Sequence, residues 1–293
     1  MTTIIDGKKI SAEIKTELKE ETKILKEKGI VPQLALLLVG NDAASEIYVN
    51  NKHKFCNEIG VKSIIERQPE NITEKEILQI INNWNQDRNI NGILVQLPLP
   101  KHIDETKILL AIHPSKDVDG FHPENVGRLV TGLPCYIPCT PNGIYELLKR
   151  YNIDTSGKHI VVVGRSNIVG KPIANLLVQK MPNANAIVTI CHSATKNISD
   201  YTRLADIVIV AIGVPEFIKS DDVKEGAVII DVGINRISDT SSPKGSRVVG
   251  DVDYNSVLEK VSAITPVPGG VGPMTIAMLL QNTIRSAKRE IYD

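Results

Sequence analysis

Short aliphatic runs alternate with longer, charged, helix-periodic stretches along nearly the whole chain, and this constrains the fold more than any other feature. A brief run of Val, Ile and Leu suits a strand buried on both faces. An amphipathic stretch suits a helix laid across such strands. Repeated in series, the two make βα units around a largely parallel sheet. The pattern predicts helices at residues 10–28, 42–59 and 73–86, and strands at 34–39, 62–66 and 92–97. Thr73 stands three residues before Glu76, the spacing of a capping box. Pro98 and Pro100 stop the third strand. From 101 to 141 the regularity fades, and Pro114, Pro123, Pro134, Pro138 and Pro141 predict a loop-rich crossing. The alternation restarts at His159, with strands at 160–163, 187–191, 207–211, 228–231 and 263–265. Helices are predicted at 169–180 and 272–288. Residues 238–246 are polar, contain Pro and Gly, and read as a surface loop.

At about 150 residues per domain, 293 residues suit two domains. The expected class is α/β: two α/β domains around a cleft, the second a Rossmann-like dinucleotide-binding domain. The first would span 1–140 and the second 141–270, with 271–293 a C-terminal helix returning to the first. Clefts between such domains are favoured ligand sites. Lys+Arg and Asp+Glu both number 34, which disfavours a protein held to nucleic acid by phosphate contacts. Aromatic residues at 4% disfavour a base-stacking platform. Four cysteines do not make a disulfide framework. The longest apolar run, 207–212, is strand-length, far below the ~18–20 residues of a membrane span. The N-terminus lacks the apolar core of a signal peptide. A soluble, cytoplasmic protein with no membrane partner is expected.

The sharpest local signal is a β run leading into Gly164-Arg165-Ser166-Asn-Ile-Val-Gly170-Lys-Pro172. Such a turn brings backbone N–H groups to a pyrophosphate at a helix N-terminus. Gly164 suits the tight turn, Gly170 the close packing of helix on strand, and Pro172 the first helical turn. It departs from G-x-G-x-x-G: Ser166 takes the second glycine's place and the last glycine comes one residue late. A strand–turn–helix without a ligand would look similar. An NAD-preferring fold places an acid at the end of its second strand. Here 187–191 is followed by His192-Ser193-Ala-Thr-Lys196, so Arg165, Ser193, and His192 or Lys196 are candidates to surround a 2′-phosphate. NADP is favoured over NAD. The plain alternative for His192 and Lys196 is a solvated loop.

Tyr48 and Lys52 are four residues apart and share a helix face. A lysine in an apolar cleft loses solvation and becomes available for proton transfer, and a tyrosine offers a flat face for a substrate ring. The same pair also decorates ordinary helix surfaces. Gln96 sits at the carboxyl end of a predicted strand, where α/β ligand crevices lie, or caps its own loop. Asp117 and Asp119 share a turn. One suits an amino-substituted heterocycle; an Asx turn suits Asp117 better than Asp119. Cys135 and Cys139 have no second pair at zinc spacing, so no metal is expected, and buried structural cysteines are the simpler reading. Pro268, Gly269, Gly270, Val271 and Gly272 open the last helix as a ligand-hugging loop or a hinge.

Together these segments resemble one family closely, the bifunctional methylenetetrahydrofolate dehydrogenase/methenyltetrahydrofolate cyclohydrolases. The resemblance runs in order through Tyr48-Val-Asn-Asn-Lys52, Gly92-Ile-Leu-Val-Gln-Leu-Pro-Leu-Pro100, Lys116-Asp-Val-Asp-Gly-Phe-His-Pro123 and Pro138-Cys-Thr-Pro-Asn-Gly143. It continues through the Gly164 turn, His192-Ser193, Asp231-Val-Gly-Ile-Asn235, Gly250-Asp-Val-Asp253 and Thr265-Pro-Val-Pro-Gly-Gly-Val-Gly-Pro-Met-Thr275. It implies hydride transfer from 5,10-methylenetetrahydrofolate to NADP, then hydrolysis of the methenyl product to 10-formyltetrahydrofolate, in one-carbon metabolism and purine biosynthesis. It implies that Lys52 moves protons, Gln96 holds Lys52, Tyr48 stacks on the folate and Asp119 binds the pterin edge. Val95, Leu97 and the 268–272 loop would line the folate. Gly164, Arg165, Ser166, Ser193 and Ile234 would contact the dinucleotide, and the protein would be a homodimer. The alternatives are an NADP-dependent dehydrogenase of a small hydroxy acid (shikimate-type), a silent dinucleotide sensor, and an RNA-binding protein on a Rossmann scaffold.

Overall fold

The computed structural model describes residues 1–239 and 245–292. Its elements run β1 (Thr3–Ile4), α1 (Gly7–Glu27), β2 (Gln33–Val39), α2 (Ala43–Ile59), β3 (Lys62–Gln68), α3 (Glu74–Gln86) and β4 (Gly92–Val95). Next come α4 (Glu105–Ala111), α5 (Pro123–Thr131), α6 (Cys139–Arg150), β5 (His159–Val163), α7 (Gly170–Leu177), β6 (Ile187–Cys191), α8 (Ser199–Thr202) and β7 (Ile207–Val210). The chain closes with β8 (Val228–Asp231), β9 (Asn235–Ser238), β10 (Ser246–Val249), α9 (Tyr254–Val257), β11 (Ala263–Ile264) and α10 (Val271–Ala287). Two compact units result. One takes Met1–Ala12 and Thr140–Thr275, the other Glu13–Cys139 and Ile276–Asp293.

The first unit carries a sheet in the order β1-β11-β8-β7-β5-β6, with every pairing parallel. Its middle strands are aliphatic on both faces because both faces are covered: Ile160, Val161, Val162 and Val163 of β5 are all buried. From β5 the chain order runs one way to β6 and the other way through β7 and β8. The carboxyl ends of β5 and β7 therefore flank a topological switch point, where open α/β sheets bind ligands. The first twelve residues, grouped from the sequence with 1–140, join this unit because Thr3 and Ile4 pair with Ala263 and Ile264. A two-residue strand has no periodicity to announce it.

The second unit holds a parallel sheet in the order β3-β2-β4. β2 is buried along its whole length. Ala35, Leu37, Val39, Ile93 and Val95 form a core with Ile77 and Ile81 of α3 and Ile108 of α4. Each Val, Leu or Ile side chain among them contributes roughly 1.5–3 kcal/mol of burial. The capping box at α3 is formed: Thr73 Oγ1 accepts from Glu76 N at 3.3 Å, and the Glu76 carboxylate accepts from Thr73 N at 2.8 Å.

One further expectation needs correction. Residues 101–141 are not mainly loop, since α4 and α5 lie there and α6 opens at Cys139. The prolines start structure rather than break it. Pro123 opens α5, and Pro114 opens a 3-10 turn, positions whose missing N–H costs nothing. The predicted 238–246 surface loop joins the antiparallel hairpin of β9 and β10, with Ser238 opposite Ser246; its residues 240–244 lie outside the described residues.

Candidate active site

α2 begins at Asp42, whose carboxylate accepts from Ser45 N at 2.7 Å, and ends at Gly60 in the left-handed conformation. Ser45, Val49, Cys56 and Ile59 form its buried stripe. Lys52 falls on that same stripe, half-buried. Its ammonium donates to Gln96 Oε1 at 3.0 Å. Gln96 follows β4 directly, its backbone N–H bonded to Leu37 O at 2.9 Å and its Nε2 to Leu97 O at 2.7 Å. The strand thus aims the amide and the amide aims the lysine. Burial lowers the Lys52 pKa, partly opposed by the negative charge of Asp119. Tyr48, one turn back, is 46% exposed and presents its ring to solvent.

Asp119 is fixed by its neighbours. The buried Asp117 carboxylate accepts from Gly120 N and Phe121 N, both at 3.2 Å, from His122 N at 2.8 Å and from Asn125 Nδ2 at 2.9 Å. This is the Asx-type role expected of it. Burial pushes its pKa up to about 7, against those donors. Gly120 takes φ +78, and a Cβ there would meet Tyr136 O at 2.6 Å, so only glycine closes the turn. Asn282 of α10 donates to Val118 O at 2.9 Å and Ile137 O at 3.1 Å, tying the turn to the segment before α6. Tyr292 Oη reaches Asn125 Oδ1 at 2.8 Å. The Asp119 carboxyl is raised by burial and lowered by the Lys52 charge and by the Cys139 thiol. Lys52, Gln96, Asp119 and Cys139 thus form one group: a desolvated amine, an orienting amide, a carboxylate and a buried thiol.

In the first unit, Gly164 ends β5 with φ +125, where a Cβ would lie 2.3 Å from Ala211 O. A Cβ on Gly170 would lie 2.2 Å from Gly164 O. The two glycines therefore let α7 start against the strand end, leaving an open backbone turn. Ser166 Oγ accepts from Val169 N at 3.1 Å and Gly170 N at 3.3 Å, capping α7 in the second glycine's place. Arg165 and Ser193 are exposed, and Ile234 is 56% exposed. His192 is spent locally: its Nδ1 accepts from Ala194 N at 3.2 Å.

Other predicted residues are placed differently. Val95 is 4% exposed and packs in the core, so its side chain is not offered to a ligand. The Leu97 side chain packs against the same cluster. The loop of Pro268, Gly269, Gly270, Val271 and Gly272 belongs to the first unit, where Gly269 O accepts from Lys8 N at 3.0 Å. Cys135 and Cys139 are buried free thiols. The sequence did not single out Asn282, because an asparagine inside an apolar helix pattern declares no partner. A groove of about 1000 Å³ lined by Lys62, Arg88 and Arg289 contains none of the predicted residues.

Residues 5–119 match the catalytic domain of the tetrahydrofolate dehydrogenase/cyclohydrolases, and residues 138–291 match their NAD(P)-binding domain. The bifunctional protein FolD of Chlorobium chlorochromatii is 60% identical over 289 residues, 98% of each chain. The FolD methylenetetrahydrofolate dehydrogenase/cyclohydrolase of Campylobacter jejuni is 54% identical with a TM-score of 0.94, covering 99% of this chain and 100% of its own. The methylenetetrahydrofolate dehydrogenase-cyclohydrolase of Trypanosoma brucei, solved with NADP and an inhibitor, is 38% identical with a TM-score of 0.92, covering 100% and 99%. A shikimate dehydrogenase from Listeria monocytogenes is 12% identical with a TM-score of 0.50, a likeness of fold alone.

Proposed function

The chain belongs to the tetrahydrofolate dehydrogenase/cyclohydrolase family, and from that premise we propose how its residues divide the work. The enzyme oxidises 5,10-methylenetetrahydrofolate to the methenyl compound with NADP and hydrolyses that cation to 10-formyltetrahydrofolate. NADP, when bound, accepts the hydride from the methylene bridge.

The first unit fits such a dinucleotide. A Cβ would fill the cradle at Gly164, the turn opens a helix, and no acid follows β6. Gly164 and Ser166 would hold the pyrophosphate, Arg165 and Ser193 the 2′-phosphate, and Ile234 the nicotinamide end.

Lys52 is the proton carrier of the hydrolytic step. Its depressed pKa makes the neutral amine accessible. That amine takes a proton from water as the oxygen bonds to the methenyl carbon. It returns the proton to N5 as the carbon–N5 bond breaks, and the remaining hydroxyl proton leaves to solvent. Gln96 positions Lys52. Asp119 accepts two hydrogen bonds from the amino-pyrimidine edge of the pterin, Tyr48 stacks on the ring, and backbone groups of Val95 and Leu97 line it.

The observation that carries this reading is the 3.0 Å bond from Lys52 Nζ to Gln96 Oε1 on an otherwise buried stripe beside Asp119. Lys52→Met is expected to reduce methenyltetrahydrofolate hydrolysis by at least ~10²-fold, and hydrolysis at the wild-type rate would overturn the assignment. The family resemblance also supports a cytoplasmic homodimer whose product feeds purine biosynthesis. Among the described residues no helix is long and apolar enough to cross a membrane. Sedimentation equilibrium should give twice the 32.1 kDa of the chain.

A further inference from the structure

Two buried carboxylates lie at the carboxyl ends of β7 and β8, and neither has a part in the hydride or hydrolytic chemistry. Asp251 is fully buried. Its Oδ2 accepts from Ile212 N at 2.7 Å and Gly213 N at 2.9 Å, and its Oδ1 from Asn235 Nδ2 at 2.8 Å. Asp231, 3% exposed, accepts from Gly233 N and Asp251 N, both at 2.9 Å, and from Val252 N at 3.0 Å. The backbone leaves room for nothing else. A Cβ on Gly233 would lie 2.4 Å from Asp251 Cγ, and one on Gly250 would lie 1.8 Å from Asp231 Oδ2.

Buried charge of this kind is weak evidence of stability, since apolar packing does as well or better. What the pair does supply is geometry. Residues 211–213 leave β7 at the switch point, where Ala211 O faces Gly164. Gly213 takes φ +68 with open space around it. The adenosine half of the dinucleotide, with its 2′-phosphate, is assigned to Arg165 and Ser193 on the β6 side. The pyrophosphate lies at the Gly164 turn, so the other half extends over β7 and β8. The amides of Ile212 and Gly213 are turned inward to Asp251 and are not free for phosphate. The same carboxylate network fixes Gly233, next to Ile234.

We propose that Asp251, itself held by Asp231, is a positioning residue for the nicotinamide half of NADP: it sets the Ile212–Gly213 backbone that walls the crevice on the β7 side. This rests on the proposed placing of the dinucleotide at the Gly164 turn.

The test compares two probes, NADP and adenosine 2′,5′-bisphosphate, titrated into wild type, Asp251→Asn and Asn235→Ala. Hydrogen exchange is read at Ile212 and Gly213 without cofactor. Wild type should bind both probes and protect both amides. Asp251→Asn should weaken NADP about tenfold, the loss of one charge-assisted bond, leave the bisphosphate unchanged and expose the two amides. Asn235→Ala, which removes the amide that steers Asp251 and also bonds Gly250 O at 3.2 Å, should do the same more mildly and remains readable if Asp251→Asn fails to fold. Equal weakening of both probes, or NADP affinity unchanged in both variants, overturns the proposal. Failure of the wild type to bind the bisphosphate would instead overturn the placing of the 2′-phosphate at Arg165 and Ser193.

Discussion

Lys52 shares its helix stripe with Ser45, Val49, Cys56 and Ile59, each buried, and that position explains its chemistry. A lysine there loses hydration, so the folded protein holds its proton less tightly than the unfolded chain, whose lysine titrates near 10.5. Its burial costs stability at neutral pH, and the cost fades as pH rises toward that value. The Asp119 charge acts the other way, raising the Lys52 pKa. Asp119→Asn is therefore expected to lower it further and to increase the neutral fraction at a given pH. The acid limb of the cyclohydrolase pH–rate profile should move to lower pH, and a limb that stays put or rises would contradict the coupling. The residue types were legible before the structure, as were the four-residue spacing of Tyr48 and Lys52 and the strand-end place of Gln96. The burial of Lys52 was not, because the same pair suits an exposed helix face equally well, and only the packing of Ser45, Val49, Cys56 and Ile59 decides it. The contact to Gln96, 44 residues away, is encoded by no local pattern, and before the structure it rested on the family resemblance alone.

Helix ends and turns were legible where their hydrogen bonds are local. The capping box from Thr73 to Glu76 is one such case, and Thr73→Ala should lower unfolding stability by about 1 kcal/mol without changing either activity, checked by urea denaturation. The prolines between 114 and 141 misled because proline has two uses, breaking a helix and opening one. The residues after each proline, not the proline itself, decide between them. α10 shows the opposite limit. Its apolar pattern announced a helix, yet its most consequential side chain is the buried Asn282, clamped to two carbonyls more than 140 residues away. Asn282→Ala leaves Val118 O and Ile137 O without that donor and should cost about 2–4 kcal/mol, visible as a lowered urea midpoint. The folate KM should rise with it, as the turn carrying Asp119 loosens.

For the whole molecule, the two activities give independent readouts. An assay with 5,10-methylenetetrahydrofolate that tracks reduced nicotinamide and methenyl product together should show turnover with NADP and much less with NAD. Arg165→Ala should narrow that preference, and an unchanged ratio would detach Arg165 from the 2′-phosphate. By itself the sequence determined the α/β class, the strand–turn–helix at Gly164 and the chemical types at the site. Each of these comes from periodicity, from steric freedom at a single glycine, or from motifs read within a few residues. Only the tertiary structure decided that Thr3 and Ile4 join the far end of the chain in one sheet. It alone showed that Val95 turns into the core, that Asp119 and Lys52 are close enough for their charges to couple, and that Asp231 and Asp251 hold the loops beside the switch point. Those outcomes depend on which distant segments share a core or a hydrogen bond, and such pairings are selected by burial across the folded unit rather than by any run of neighbouring residues.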